Sequence, residues 1–301
     1  MTDILCLGEA MVELNAQPDG RYLRGFGGDT SNTAVAAARQ GAEVGYITRL
    51  GRDGFGDALT AMWREEGVAS DLVIRDPAAP TGLYFVDHGP DGHVFSYRRA
   101  GSAASLMRPE DLPVDAIRSA RILHVSGISQ GISASAADTV FAAIEVARAA
   151  GVRVSYDTNL RPALWPLARA RAVIHAAVSS CQIALPGLDD ARALTGRAEP
   201  DAILDFYLEL GVEVVALTLG AEGTRVATPE VRRHLPPHTV TALDATGAGD
   251  TFDGAFLAEL AAGRDPFDAA RYANVAAALS TQGYGAVGPM PRRVEVEAAM
   301  G

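Results

Sequence analysis

The chain has 301 residues, 48% hydrophobic and 21% charged, which is typical of a soluble globular protein with a large core. Its formal net charge of −11 disfavours nucleic acid as a partner, because no basic face offsets the acidic excess. All 26 basic residues are arginine. Because the chain has no lysine, we exclude P-loop kinases, protein kinases, pyridoxal enzymes and Schiff-base aldolases, which all need a lysine amine.

The cysteines and the N-terminus indicate a reducing compartment. Cys6 and Cys181 lie far apart in apolar, strand-like runs, and we expect both to be buried free thiols. The N-terminus carries no basic region and no apolar stretch reaches transmembrane length, so we expect a cytoplasmic protein without a membrane partner. The six histidines show no metal-ligand spacing, so they predict no fixed metal site.

An alanine-rich helix, a glycine and a β-branched run recur three times along the chain. Each glycine stands where a helix would end on a residue with positive φ. Strands that alternate with helices predict a mostly parallel α/β sheet covered on both faces. The repeats are Ala34–Gln40, Gly41 and Val44–Thr48; Ile144–Ala150, Gly151 and Val152–Tyr156; and Ile203–Leu210, Gly211 and Val214–Leu219. Further strands are predicted at Ile4–Leu7, Leu72–Arg75, Ile122–Ser126 and Gln182–Leu185.

Two segments break this alternation, Met11–Phe26 and Gly82–Arg99. Their short alternating runs predict β-hairpins with turns at Pro18–Gly20 and Gly89–Gly92. Aromatic and basic side chains concentrate there, which favours a lid over the alternative of edge decoration. We therefore expect an α/β core of residues 1–10, 27–81 and 100–301, and a β-sheet lid of residues 11–26 and 82–99.

A glycine-rich segment, Gly25–Asn32, precedes the first repeat. Its glycines would let a ligand approach the backbone, and its short polar side chains suit the hydroxyls of a polyol. The same pattern also fits a helix start with Thr30 or Ser31 as the N-cap. The candidate substrate-binding residues are Gly27, Gly28, Asp29 and Asn32.

Two further segments follow predicted strands, where α/β sheets place their ligands. Asp157–Arg161 ends in an arginine suited to a carboxylate or a phosphate, although a structural Asp–Arg surface pair gives the same pattern. Thr218–Gly223 lies between two strands, and its glycines suit either a nucleotide or a plain tight turn.

The stretch Asp244–Phe252, DATGAGDTF, carries the strongest chemical signal. Its small residues let backbone N–H groups converge on an anion at a helix N-terminus. Asp250 would repel a phosphate, so we interpret it as a base that takes a proton from a nucleophile attacking one. The pattern predicts phosphoryl transfer, and the alternative is a glycine-rich turn with Asp244 or Asp250 as a helix cap.

These motifs resemble the ribokinase-like (PfkB) family of carbohydrate kinases over nearly the whole chain. One signature corresponds to Gly27–Asn32 with Gly51–Gly56, and the other to Asp244–Phe252. Two ordered signatures are far more specific than either alone. The resemblance implies a three-layer α/β/α core with a small β-sheet lid. It also implies transfer of the γ-phosphoryl group of ATP to a sugar hydroxyl.

The resemblance assigns roles to individual residues. Asp250 matches the catalytic base, and Mg²⁺ is expected to be mostly water-ligated and carried by ATP. The family usually carries Asn-x-x-Glu where this chain has Gly187 and Asp190, so any contact of Asp190 with the metal would run through water. The matched anion hole is Gly247, Ala248 and Gly249, and the matched nucleotide-binding residues are Thr218, Gly220, Gly223 and Asn274.

Within the family, the chain is most similar to 2-keto-3-deoxygluconate kinases, which hold an acid sugar with tyrosines and arginines matching Tyr84, Tyr97, Arg99 and Arg161. A carboxylate entering an acidic protein needs such a cationic clamp. Arg98 and Arg99 also fit solvated lid residues. The open alternatives are a fructokinase, ribokinase or nucleoside kinase, and a non-catalytic sugar- or nucleotide-binding regulator. We also expect a homo-oligomer formed through the lid.

Overall fold

The computed structural model describes residues 2–89 and 92–301. The middle of the predicted turn at Gly89–Gly92 therefore lies outside the described residues. The strands are β1 (Ile4–Leu7), β2 (Met11–Ala16), β3 (Tyr22–Gly27), β4 (Val44–Gly51), β5 (Val68–Ala69), β6 (Val73–Asp76), β7 (Leu83–Gly89), β8 (Gly92–Arg98), β9 (Ile122–Ser126), β10 (Arg153–Asp157), β11 (Ile183–Leu185), β12 (Val214–Thr218), β13 (Thr224–Ala227) and β14 (Arg232–Leu235).

Helices connect most of these strands. They are α1 (Asp29–Arg39), α2 (Gly54–Glu66), α3 (Val114–Ser119), α4 (Gly127–Gly131), α5 (Ala134–Ala149), α6 (Leu167–Val178), α7 (Leu188–Thr195), α8 (Pro200–Glu209), α9 (Ala248–Ala261), α10 (Pro266–Ser280) and α11 (Arg293–Met300). Short 3₁₀ turns lie at Ala104–Leu106, Pro109–Asp111 and Gly220–Glu222.

The large sheet has the strand order β14-β13-β12-β11-β10-β9-β1-β4-β5, and β6 also pairs with β4. Its strands run parallel from β12 to β5, while β13 and β14 are antiparallel. Alternate residues of β1 enter different cores, Ile4 and Cys6 on one face and Leu5 and Leu7 on the other. The first core includes side chains of α1, α2, α9, α10 and α11, and the second those of α3 and α5 to α8. The predicted three-layer α/β/α core is thereby confirmed.

The predicted repeats are confirmed, but all three helices begin before the predicted runs, α5 at Ala134 and α8 at Pro200. Gly41, Gly151 and Gly211 follow their helices with φ of 91°, 73° and 97°. Helix α1, however, begins at Asp29 rather than at the alanine run. Its N-cap is Gly28, which has a φ of 107° and makes no side-chain cap. Both cysteines are buried as free thiols, as expected.

The N-cap alternative for Thr30 and Ser31 is wrong, because both lie inside the first turn of α1. Their hydroxyls face the core instead. Thr30 Oγ1 lies 2.8 Å from the Tyr46 hydroxyl, and Ser31 Oγ accepts a hydrogen bond of 2.9 Å from the Trp63 indole. These bonds fix the start of α1 against β4 and α2.

A separate four-stranded sheet has the order β3-β2-β7-β8. The pairs β2–β3 and β7–β8 are antiparallel, so both predicted hairpins are confirmed, and β2 pairs with β7 in parallel. The division of the chain into core and lid stays a prediction. Among the described residues, no helix has both the length and the apolar character needed to cross a bilayer.

His124 supplies a pH-sensitive point in the core. Its ring is 1% exposed on β9, and Nδ1 lies 3.2 Å from Ser155 Oγ. Burial lowers the pKa of His124 to about 3. The unfolded chain therefore binds a proton near its ordinary pKa of about 6.5, while the folded chain does not.

We predict that His124 makes the protein less stable by about 2 kcal/mol at pH 5 than at pH 7, since its contribution is present above the unfolded pKa and falls below it. Urea unfolding at the two pH values measures the loss, and His124→Gln should reduce it. An equal loss in the variant would contradict this assignment.

Candidate active site

The N-terminus of α9 carries no side-chain cap. Its N-cap residue is Gly247, with φ of 76°. A Cβ at this position would stand 2.9 Å from the carbonyl oxygen of Ala286, so the loop packed here demands glycine. Uncapped N–H groups and the helix dipole favour a negatively charged ligand.

The helix-cap alternative for Asp244 and Asp250 is wrong. Asp244 Oδ1 accepts hydrogen bonds from Thr246 N at 2.9 Å and from its hydroxyl at 2.6 Å. Asp244 Oδ2 accepts one from Gly285 N at 2.9 Å. Asp244 therefore shapes the loop before α9, and Asp250 lies within the first helical turn.

Asp250 is a half-buried carboxyl at this helix end. Its Oδ2 accepts a hydrogen bond of 2.8 Å from Asn32 Nδ2. Burial, followed by the negative charge of Asp29, raises the pKa of Asp250 to about 7, against the opposing effects of Asn32 and Arg161. A carboxylate with a pKa near the working pH is suited to remove a proton from a substrate.

Close packing of α1 on α9 brings Asn32 and Asp250 together. Gly254 permits it, because a Cβ there would stand 2.5 Å from both Ala36 Cβ and the Thr33 carbonyl oxygen. The two helices therefore approach almost backbone to backbone, which fixes the predicted base beside the predicted sugar-binding segment.

Asp29, at the start of α1, accepts a hydrogen bond from a residue with a strained backbone. Its Oδ2 accepts a hydrogen bond of 2.9 Å from Asn159 Nδ2. Asn159 has a φ of 24° and is the one non-glycine residue with positive φ in the described ranges. Strained backbone of this kind costs about 1–3 kcal/mol and concentrates at functional sites. Sequence reasoning missed Asn159, which lies inside the segment Asp157–Arg161.

Two more carboxyls were also missed, Asp157 and Asp253. Burial, followed by the charge of nearby aspartates, raises the pKa of each well above its usual range. Asp253 lies three residues after Asp250, which puts both on one face of the helix. This spacing is the signal in the sequence that could have identified Asp253. The site therefore concentrates carboxyls, and burial disfavours their charged forms.

The second sheet supplies the opposite wall. A Cβ on Gly27 would stand 2.3 Å from the Tyr84 hydroxyl, so Tyr84 covers this glycine. That hydroxyl donates a hydrogen bond of 2.6 Å to Glu13 Oε2, and burial raises the pKa of Tyr84. The Tyr97 ring lies 5.7 Å from the Tyr84 ring. The two predicted tyrosines thus form one continuous surface beside Gly27.

The two predicted clamp arginines differ. Arg99 is largely buried and pairs with Glu9, so the solvated-lid alternative is wrong for Arg99, whereas Arg98 is exposed. Arg161 is exposed and donates to the Leu160 carbonyl oxygen at 3.0 Å. Within the described chain, Arg161 makes no ion pair, so the Asp–Arg surface pair is not formed.

A cavity of about 440 Å³ opens beside the N-terminus of α9, within the size range of small-ligand sites. The Asn274 amide shapes its wall: Oδ1 accepts from Thr224 Oγ1 at 2.6 Å, while Nδ2 donates to the carbonyl oxygens of Leu235 and Pro236. The predicted nucleotide residues Thr218, Gly220, Gly223 and Asn274 line this cavity together with Ala248 and Gly249.

Asp190 lies at the edge of the site. Its Oδ2 accepts a hydrogen bond of 2.8 Å from Leu160 N, and burial raises the pKa of Asp190. It lines a small surface cavity together with Gly187, Thr218 and Gly220. The described residues contain no cluster of three metal-ligating side chains. Asp190 as a metal contact therefore stays a prediction.

The carboxyl of Asp250, the open N-terminus of α9 and the cavity of about 440 Å³ beside it are the features expected of a phosphotransferase site. The model of the pfkB family of carbohydrate kinases matches residues 1–293, so the chain belongs to that family.

Two curated relatives match nearly the whole chain. It is 35% identical to the 2-dehydro-3-deoxygluconokinase of Thermoproteus tenax, over 98% of this chain and 94% of that protein. It is 32% identical to the probable fructokinase-4 of Arabidopsis thaliana, over 99% and 96%.

A solved structure agrees over the whole fold. The putative ribokinase II of E. coli in complex with ATP and Mg²⁺ superposes with a TM-score of 0.92 at 25% identity, covering 100% of this chain and 99% of that one. The chain is therefore an ATP-dependent sugar kinase, and the alternative of a non-catalytic regulator is set aside.

The pKa of Asp250 gives a prediction for the pH profile. We expect kcat/KM for the sugar to fall below about pH 7, because the base acts only when it is deprotonated. Asn32→Leu removes the hydrogen bond that lowers this pKa, so the acidic limb should move to higher pH. Initial rates from pH 5.5 to 9 measure both profiles.

Asp250→Asn is the control for this assignment. It should lower kcat by several orders of magnitude while ATP affinity and the melting temperature change little. The assignment of Asp250 as the base would be contradicted by a near-normal kcat in Asp250→Asn. It would also be contradicted if Asn32→Leu did not shift the acidic limb of the pH profile.

Proposed function

We propose that this kinase phosphorylates the primary hydroxyl of an acid sugar, with 2-keto-3-deoxygluconate as substrate and 2-keto-3-deoxy-6-phosphogluconate as product. The observation that carries the proposal is the exposed Arg161, which makes no ion pair in the described chain and whose charge acts on Asp250 and Asp190. A guanidinium beside the base is suited to hold a substrate carboxylate by two parallel hydrogen bonds.

The likeness to the Thermoproteus tenax enzyme supports the same substrate. The Tyr84 and Tyr97 surface and the nearby Arg99 add further groups toward an acid sugar. Gly27, Gly28, Asp29 and Asn32 bind the remaining hydroxyls in this proposal. The hairpin sheet closes over the sugar and excludes water.

Asp250 removes the proton from the sugar hydroxyl, and that oxygen attacks the γ-phosphorus of ATP in line with the departing ADP. Backbone N–H groups at Gly247, Ala248 and Gly249 stabilise the developing negative charge. The nucleotide occupies the cavity that Asn274 helps to shape. Mg²⁺ carried by ATP neutralises phosphate charge when bound, and Asp190 is the side chain that would meet its water shell.

A fructokinase is the second candidate. The chain is 32% identical to a probable fructokinase from Arabidopsis thaliana. Arg99 already pairs with Glu9, which favours a neutral sugar over an acid one. A substrate panel separates the two candidates.

We predict that a coupled ADP-release assay will show higher kcat/KM for 2-keto-3-deoxygluconate than for fructose, ribose or adenosine. Arg161→Gln should raise KM for the acid sugar by about 10- to 100-fold, the expected loss of a charge-assisted bidentate contact of about 1.5–3 kcal/mol. Fructose kinetics serve as the control, because fructose has no carboxylate. Preference for fructose, or equal effects of Arg161→Gln on both sugars, would refute the acid-sugar proposal.

The hairpin sheet also supports a homo-oligomer. Leu23 and Val94 are 64% and 56% exposed, an unusual exposure for apolar residues on a small sheet. We predict that light scattering will find an oligomer and that Val94→Asp will dissociate it. Val294→Asp, at an equally exposed apolar position on α11, is the matched control. A monomeric wild type would contradict this interface.

A further inference from the structure

The chain passes between the two sheets at four places, and Glu9 contacts all of them. Glu9 lies on the first crossing. Gly28 lies on the second, and a Cβ on Gly28 would stand 2.2 Å from the Glu9 carbonyl oxygen. A Cβ on Gly82, at the third, would stand 3.2 Å from its carboxylate. At the fourth, the carboxylate accepts hydrogen bonds from Arg99 and from Ser102, the latter at 3.4 Å.

The ion pair with Arg99 uses only one edge of the guanidinium. Nε donates to Glu9 Oε2 at 2.8 Å, and Nη2 donates to the same oxygen. Within the described chain, Nη1 of Arg99 donates no hydrogen bond to a carboxylate or a carbonyl oxygen. The guanidinium carbon lies 5.2 Å from the centre of the Tyr97 ring, on the surface that covers Gly27. Arg99 therefore meets Glu9 by the edge that carries Nε and Nη2, and Nη1 lies on its other edge.

Glu9 is completely buried, with 0% of its surface exposed. Burial raises the pKa of Glu9, and Arg99, followed by the hydrogen bond from Ser102, opposes that effect and favours the charged form. Packing alone does not explain a buried carboxylate that pairs with one cation. Replacing such a pair by apolar residues of similar volume often leaves the folded protein equally stable. The position of Glu9 suggests a role in binding instead.

We propose that Glu9 is a specificity-determining residue, a built-in counter-ion that an acid substrate must share with Arg99. The inference rests on the proposed acid-sugar substrate. The two carboxylates repel each other across one guanidinium, so Glu9 weakens the binding of the acid sugar. A neutral sugar carries no such charge, so Glu9 sets the ratio of the affinities for an acid and a neutral sugar, which is specificity by an unfavourable element.

The test is Glu9→Gln, which removes the charge and keeps the shape and one hydrogen-bond acceptor for Arg99. KM for 2-keto-3-deoxygluconate should fall about tenfold, while KM for fructose and for ATP stays the same. D-gluconate, a carboxylate probe that needs no turnover, should bind the variant about tenfold more tightly by titration calorimetry.

Glu259→Gln is the matched control. Glu259 is also a buried carboxylate, 4% exposed and paired with Arg293 and Arg264, but it lies on the far part of α9. Both variants should melt at a lower temperature than the wild type, since each removes the charge of a buried carboxylate that pairs with arginine. Only Glu9→Gln should change the ratio of the two sugar KM values.

The outcomes are separable. A Glu9→Gln variant that raises KM for both sugars alike, or binds gluconate no better than the wild type, overturns the inference. A wild type that prefers fructose refutes the proposed substrate, and the gluconate titration still decides the role of Glu9. If Glu9→Gln does not fold, the comparison of Arg99→Gln with the double variant Glu9→Gln/Arg99→Gln replaces it, and tighter gluconate binding by the double variant is expected.

Discussion

The close approach of α1 and α9 is the contact on which the rest of the site depends. Gly254 lets the two helices meet without an intervening side chain, and this puts Asn32 within 2.8 Å of Asp250. Helix α1 carries the predicted sugar-binding groups, and α9 carries the predicted base and an uncapped N-terminus. A side chain at position 254 would separate them by more than a reacting geometry tolerates. The chemistry is thus set by backbone packing well behind the reacting atoms.

The site must accommodate a negatively charged nucleotide in an acidic protein. An acidic chain without lysine binds a highly negative nucleotide and concentrates several aspartates around one site. Burial raises the pKa of Asp157 and of Asp253, which disfavours the charged forms that would repel the phosphates. Positive potential at the site comes from the uncapped N-terminus of α9 and from a few arginines. Burial and the charge of Asp29 raise the pKa of Asp250 to about 7, close to neutrality.

Local sequence predicted the features that depend on local physics. The helix-ending glycines and the hairpins follow from φ preferences and side-chain alternation, and the uncapped start of α9 follows from small residues in one run. Features made by distant residues were not predictable. Glu9 is an isolated acid in sequence and meets Arg99 only through the fold. The start of α1 was missed because short polar residues at Asp29–Asn32 suggest a loop, whereas tertiary hydrogen bonds hold them in a helix.

The burial of both thiols has a practical consequence. Cys6 and Cys181 are 0% and 2% exposed, and burial raises the pKa of each, so neither is a reactive nucleophile in the folded chain. A single cysteine introduced on the hairpin sheet would be the accessible thiol of the protein. A maleimide dye attached there would report the position of that sheet against the core without removing any native residue from the rest of the molecule.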